Sequence, residues 1–509
     1  MLAFAAGVPA AAQKYVTNVD LLRGEKWWGL FLSDSPSQPF VEPFAVNTSD
    51  VRSCGGYIPM MLSSEGRYIW SDAPIAVEFD GERIKIGCDE QQVKVKKSGK
   101  SLREAYIVCC HTNFKPSGKT PAPALFTAPV YDTDFIPGAA QGEEEVVAYA
   151  RRLLDEGFPV GTIVVPDGWR SFNSGNGFDR ELYPNPRGMV ERLHALGFKV
   201  MLTVTPCVPT VGRNYLSALR GQRLLMSPDN YPLTADCGLG SRVAFYDLAD
   251  DARFESFARD FEALRRDIPF DGYRFDCGAL PASFTGDKRA RFIENWMKLG
   301  KGIDFCQYYG GCAAQFAPYV TGVKLGVGAS DDLADMVEDM VAAGLMGLPY
   351  AAPVFADVNS SQMPMPSAEK YMGAVMQTGA MMPVAVVSAA PWRLTDGKQY
   401  AALKQTLNFR ASLAKYLEDM AKESARTGEP FVRHMEYQFP RNGFADCNDQ
   451  FMLGAKYLIA PNVKGEDSRM VRLPKGTWVD RNKKRFKGPL VMEADCADGR
   501  LIYFELLSK

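Results

Sequence analysis

Between residues 122 and 400, short apolar runs alternate with helix-length segments, and this alternation restricts the fold more than any other feature of the chain. A run over 125–130 precedes a helix over 143–156, and a run over 162–165 precedes a helix over 186–196. Further strands are expected over 199–204, 272–275, 321–325, 349–352 and 383–387, with helices over 332–343 and 368–376 between them. Strands fed by crossover helices pair in parallel and are covered on both faces, which explains their near-continuous apolar character. About eight such units predict a (β/α)8 TIM barrel rather than an open sheet.

The flanks read differently. Over 15–121, Tyr57-Ile58-Pro59-Met60-Met61-Leu62, Arg67-Tyr68-Ile69-Trp70, Ile75-Ala76-Val77-Glu78-Phe79 and Tyr106-Ile107-Val108 are short β runs separated by Gly, Asp, Ser and Lys turns. They predict an N-terminal β-sandwich. Residues 115–121 form a Pro/Gly/Ser linker, 122–425 the barrel with a helical exit over 400–425, and 426–509 a C-terminal β-sandwich with turns at 462–467 and 474–476. Residues 1–14 are expected to be a signal-peptide remnant or disordered. The opening MLAFAAGVPAAA is small and apolar with an Ala-x-Ala-like end, similar to the tail of a secretory signal without its basic start. This points to a periplasmic or secreted protein, or to a cytoplasmic one if the segment is no signal.

Composition removes several function classes. With 58 Lys+Arg against 60 Asp+Glu there is no basic excess to neutralise phosphates, so no nucleic-acid partner is expected. No run of 18 apolar residues predicts a membrane span. The three histidines, His111, His194 and His434, lie far apart, which disfavours a metal site and a Ser-His-Asp triad. The eleven cysteines include no CxxC pair and are expected to be mostly buried thiols. Neither metal nor cofactor is implied.

Active residues of barrels lie where strands end. Asp132 closes Val130-Tyr131-Asp132, and Asp167 and Trp169 follow Val164-Val165-Pro166. Asp276 closes Tyr273-Arg274-Phe275-Asp276, with Arg274 beside it, and Asp331-Asp332 precede a helix. An Asp after a strand commonly caps a helix or forms a turn, which accounts for one of Asp331 and Asp332 and is a plain reading of Asp167. Asp276 is followed by Cys-Gly-Ala-Leu-Pro instead of a helix, and a charge at the end of a buried run calls for a reason. Paired carboxylates with aromatics at 11% of the chain suit glycoside hydrolysis. One carboxylate attacks the anomeric carbon while a second, about 5–5.5 Å away in retaining enzymes, protonates the leaving oxygen.

Several segments resemble glycoside hydrolase family 31. Asp271-Gly272-Tyr273-Arg274-Phe275-Asp276-Cys277-Gly278 is similar to its DGFKFDAG nucleophile strand, and Val165-Pro166-Asp167-Gly168-Trp169 to its IDDGW strand end. The stretch from Tyr183-Pro184-Asn185-Pro186 to Phe198-Lys199-Val200 is similar to FPNPKAMVDELHSLGFKV. Pro391-Trp392-Arg393, Arg410, the TGEPFVRH segment from Thr427, Asp449-Gln450-Phe451-Met452-Leu453-Gly454 and Leu473-Pro474-Lys475-Gly476-Thr477-Trp478 follow in the family's order. The resemblance runs from about residue 55 to the end and leans toward the bacterial and myogenesis-regulating-glycosidase-like branch.

It implies a barrel between two sandwiches and cofactor-free retaining hydrolysis of an α-linked hexoside, an α-galactoside or α-glucoside. Asp276 is then the nucleophile. Asp167 and Trp169 shape the subsite for the non-reducing sugar, Arg274 stands where relatives carry Lys, and Asp132 and Trp392 are further substrate contacts. The relatives' acid/base Asp, counted back from the matching helix, falls at 323–325, where no carboxylate stands. Asp332, leading with Leu333 into the helix, is the preferred proton donor and Asp331 its alternative. Pro166, Ala279 and Asp357 also depart from the relatives' acidic pattern, so the sugar subsite is expected to be remodelled. The alternative is a carbohydrate-binding or regulatory protein that keeps the pocket without the chemistry. Oligomeric state is left open.

Overall fold

The computed structural model describes residues 10–31, 36–48, 57–133, 142–170, 177–236, 242–277, 280–281, 283–284, 286–309, 315, 317–325, 332–355, 365–387 and 389–508. Eight strands form one parallel sheet: β1 (Val130–Asp132), β2 (Thr162–Val165), β3 (Lys199–Val204), β4 (Gly272–Asp276), β5 (Cys306–Tyr309), β6 (Val320–Leu325), β7 (Ala351–Phe355) and β8 (Val386–Val387). Their order is β7-β6-β5-β4-β3-β2-β1-β8, so the last two strands are the sheet's edges. The Val384 amide donates to the Ala351 carbonyl at 3.2 Å and draws those edges together. The result is the expected TIM barrel. Ile163, Val164 and Val165 are fully buried, as are Val200, Met201 and Leu202 beside them, which explains the unbroken apolar runs. Gly272 is required at the start of β4, because a Cβ there would lie 1.7 Å from the Phe305 carbonyl oxygen.

At the opposite end from the strand exits, Arg410 of the helix Gly397–Ser412 is fully buried. Its guanidinium donates to the carbonyls of Ala380 (3.2 Å), Met382 (2.5 Å), Phe126 (2.7 Å) and Pro383 (2.7 Å). It ties the chain before β8 to the helical turn before β1. No carboxylate pairs with it in this set, and burial lowers it to about 9.

N-terminal to the barrel, two four-stranded antiparallel sheets hold Trp27, Phe31, Phe40, Phe44 and Phe79 between them. Residues 106–108, expected as strand, belong to the helix Leu102–Asn113. Ser101 caps it by accepting from the Glu104 amide, and Glu104 in turn accepts from the Lys100 amide at 2.6 Å. That Ser-x-x-Glu pattern is a helix-start signal that outweighs the local β character of Tyr-Ile-Val. The expected strand over 125–130 divides into a helical turn, Ala124–Thr127, and β1. The helical exit divides at Leu413 into Gly397–Ser412 and Ala414–Thr427. The C-terminal region forms a six-stranded antiparallel sheet whose outer ribbon is Ser468–Asp480 paired with Arg485–Asp495.

Candidate active site

The polar groups at the strand exits lie in two levels. In the lower level, Arg274 of β4 is 2% exposed and Asp132 of β1 is 5% exposed. Arg274 Nη1 donates to Asp132 Oδ2, and Nε donates to Thr203 Oγ1 of β3 at 3.0 Å. Its guanidinium carbon lies 5.2 Å from the centroid of the Tyr309 ring on β5. Four strands thus converge on one buried cation, whose charge is met by a carboxylate and an aromatic face.

Asp276 lies one level above. Two residues on along β4, it falls on the same side of the strand as Arg274, and it is paired in register with Tyr309. It is half-buried, where the four preceding residues of β4 are fully buried. Burial raises the Tyr309 phenol. Arg274 opposes that rise, while the charges of Asp132 and Asp276 add to it.

Asp167 starts the 3-10 turn Asp167–Trp169 at the exit of β2. Arg170 grips its carboxylate twice, Nε to Oδ1 and Nη2 to Oδ2, both at 2.5 Å, and Thr205 Oγ1 donates to Oδ2 at 2.6 Å. Burial lowers the Arg170 guanidinium, but the charge of Asp167 outweighs it and holds the group above its ordinary value. Cys207 opens a small three-stranded antiparallel sheet inserted between β3 and β4. Its thiol lies 3.1 Å from Thr205 Oγ1. Burial, with the charges of Asp167 and Asp276, pushes this thiol up to about 11. One thiol therefore feels both carboxylates, which links the exits of β2 and β4.

Two expected aromatic contacts have protein partners. Trp169 is fully buried, donates its indole N–H to the Thr203 carbonyl at 2.7 Å and packs on Phe178 at 4.6 Å. It supports the turn that carries Asp167 and offers no face to a ligand. Trp392 packs on Tyr149 at 4.9 Å, with the Arg152 guanidinium 4.1 Å from its ring centroid. Those partners are on the helix Glu143–Asp155, so Trp392 fastens the loop after β8 to that helix. Asp331 and Asp357 lie outside the described residues. Asp332 is the first residue of the helix Asp332–Leu345. Positions 323–325, where counting placed the relatives' acid, are the end of β6. Arg170, Thr203, Thr205, Cys207 and Tyr309 are not among the residues expected from the sequence. Thr203 and Tyr309 could have been found by carrying the inward face of β4 across to the neighbouring strands.

Two family models match the chain. The glycosyl hydrolases family 31 TIM-barrel domain matches residues 136–317 and the glycosyl hydrolase family 31 C-terminal domain matches residues 428–504. The chain belongs to glycoside hydrolase family 31. Among curated relatives, myogenesis-regulating glycosidase from Mus musculus is 24% identical over 415 residues, covering 76% of this chain and 56% of the relative. An alpha-glucosidase from Saccharolobus solfataricus is 32% identical over 77 residues, covering 15% of this chain and 11% of the relative. Among solved structures, a family 31 dextranase from Flavobacterium johnsoniae complexed with glucose superposes with a TM-score of 0.80 at 18% identity, covering 96% of this chain and 66% of the dextranase. A family 31 alpha-xylosidase from a soil metagenome superposes with a TM-score of 0.76 at 18% identity, covering 97% and 79%. The chain thus spans a little over half the length of the mouse relative and about two thirds of the dextranase chain. This family 31 member shares the barrel and its flanking sheets with enzymes named for different sugars.

Proposed function

We propose that this protein is a retaining α-glycosidase acting on α-linked hexosides, with a glucoside or galactoside as substrate. The observation that carries this reading is Asp276, a half-buried carboxylate at the exit of β4 above a fixed Arg274–Asp132 pair. Its carboxylate attacks the anomeric carbon as the bond to the leaving oxygen breaks, and that oxygen takes a proton from Asp332, with Asp331 as the alternative donor. Water then gives its proton back to that Asp and attacks the same carbon, releasing Asp276 with the α-configuration retained. Asp167, already accepting from Arg170 and Thr205, is oriented to accept from a sugar hydroxyl with its remaining exposed edge.

Support for Asp332 comes from the extent of β6. Because the strand runs to Leu325, the next carboxylates along the chain are Asp331 and Asp332. Asp332→Ala should slow aryl glycosides with good leaving groups far less than natural disaccharides, since only the latter need protonation. Equal slowing of both would contradict the acid role. A panel of aryl α-glycosides assayed with the purified protein tests the activity itself. Binding of the sugars without turnover would favour the carbohydrate-binding alternative.

A further inference from the structure

Among the described residues, the C-terminal sheet ends on the strand Arg485–Asp495, which has one hydrogen-bonded neighbour, Ser468–Asp480. An open edge of this length is a template for another strand. The ladder shows which backbone groups remain available. The Asp480 amide donates to the Lys484 carbonyl at one end of the ribbon, and the Cys496 amide donates to the Asp467 carbonyl at the other. Antiparallel hydrogen-bonded pairs alternate, so the even-numbered residues of the edge strand bond inward, and the odd-numbered ones direct their N–H and C=O groups to the open side. Pro489 is odd-numbered, so it takes no donor from the existing ladder but leaves the open side one N–H short at that position.

The same odd-numbered side chains are all exposed: Arg485, Lys487, Pro489, Val491, Glu493 and Asp495. They run basic, basic, apolar, apolar, acidic, acidic, and the order reverses sign about Leu490. We propose that this edge strand pairs antiparallel with the same strand of a second copy of the chain, about a two-fold axis through Leu490. In that register Arg485 faces Asp495 of the partner subunit, Lys487 faces the partner's Glu493, and Pro489 faces the partner's Val491. Every charge meets its opposite, and each pairing occurs twice because the interface is isologous. A parallel arrangement would set like charges side by side. Edge charges and a proline can also serve only to discourage pairing, but that purpose needs no particular order of signs. Val491 at 61% exposure and Met470 on the neighbouring strand at 55% add an apolar centre to the same face.

Sedimentation velocity of the full chain over a range of concentrations tests this, with circular dichroism as the control for folding. The wild type should dimerise. Lys487→Glu and Glu493→Lys should each weaken the dimer by roughly tenfold or more, because each creates two like-charge pairs. The double variant should restore it to within a few-fold. The two Leu490 residues would form a non-hydrogen-bonded pair with Cα atoms about 4.5 Å apart, within disulfide reach. Leu490→Cys should therefore cross-link the two subunits on mild oxidation. A monomer at every concentration would overturn the proposal. So would a dimer indifferent to the charge variants, or one that Leu490→Cys does not cross-link.

Discussion

The two ends of the barrel each bury an arginine, and they use it differently. At the closed end Arg410 meets four backbone carbonyls and no carboxylate in that set, and burial pulls its guanidinium down to about 9. At the strand exits Arg274 meets Asp132, Thr203 and the Tyr309 ring, and lies two residues before a half-buried carboxylate. The first arrangement satisfies carbonyls where strands and helices begin. The second fixes a cation one level below Asp276. Arg410 matches the family pattern in sequence and Arg274 stands where relatives carry Lys, so cationic character at a family position does not by itself separate the two arrangements. The partners do.

Substitutions should separate the two ends. Arg410→Met leaves four buried carbonyls without donors and should cost about 3–5 kcal/mol of stability, read by urea denaturation. Activity per folded molecule should stay near the wild-type value. Arg274→Lys keeps a cation opposite Asp132 but loses the bond to Thr203, so its stability cost should be about 1 kcal/mol while kcat falls. If Arg274→Lys unfolded the protein and Arg410→Met did not, the contrast would be wrong.

A half-buried carboxyl extends the comparison to the junction of the three regions. Glu338, on the helix that begins at Asp332, accepts from the Gln38 amide, from Ser37 Oγ at 3.4 Å and from Asn448 Nδ2 at 3.3 Å. Burial, reinforced by Asp335, pushes it up to about 7 against an ordinary 4.5. A carboxyl raised by folding binds protons more readily in the folded chain, so stability should be highest below about pH 4.5 for this group and should decline as pH rises to about 7. The total loss is up to about 3 kcal/mol. Glu338→Gln should remove that part of the pH dependence of thermal unfolding. An unchanged profile would show that Glu338 does not titrate there. The smallest effect is expected at Trp392. Arg152→Ala removes a surface cation over its ring and should cost about 0.5–1 kcal/mol with kcat unchanged. A large loss of kcat would return Trp392 to the substrate pocket.

The barrel was legible because strand and helix periods differ and the parallel strands are apolar throughout: 199–204 was read with its bounds, and 162–165 likewise. The helix Leu102–Asn113 was misread because Tyr106-Ile107-Val108 has β character, while the deciding signal lies at its cap, Ser101 and Glu104. The order of strand-end carboxylates in the sequence identified Asp132, Asp167 and Asp276 as candidates, since alternation fixes which residues reach the barrel mouth. It did not show what grips them. Arg170 reaches back three residues to Asp167, and Thr205 crosses from the next strand, which are facts of tertiary packing. The burial of Trp169 was hidden for a similar reason, because an aromatic beside a site can face the ligand or support the turn beneath it.

The central claim is that Asp276 forms a covalent bond to the sugar. Incubation with a fluorinated α-glucosyl or α-galactosyl fluoride, followed by peptide mass spectrometry, tests it most directly. The account predicts one added glycosyl group on the peptide carrying Asp276, and a loss of turnover of roughly a thousandfold or more in a folded Asp276→Asn variant. A glycosyl group on another residue, or undiminished turnover in Asp276→Asn, would contradict it.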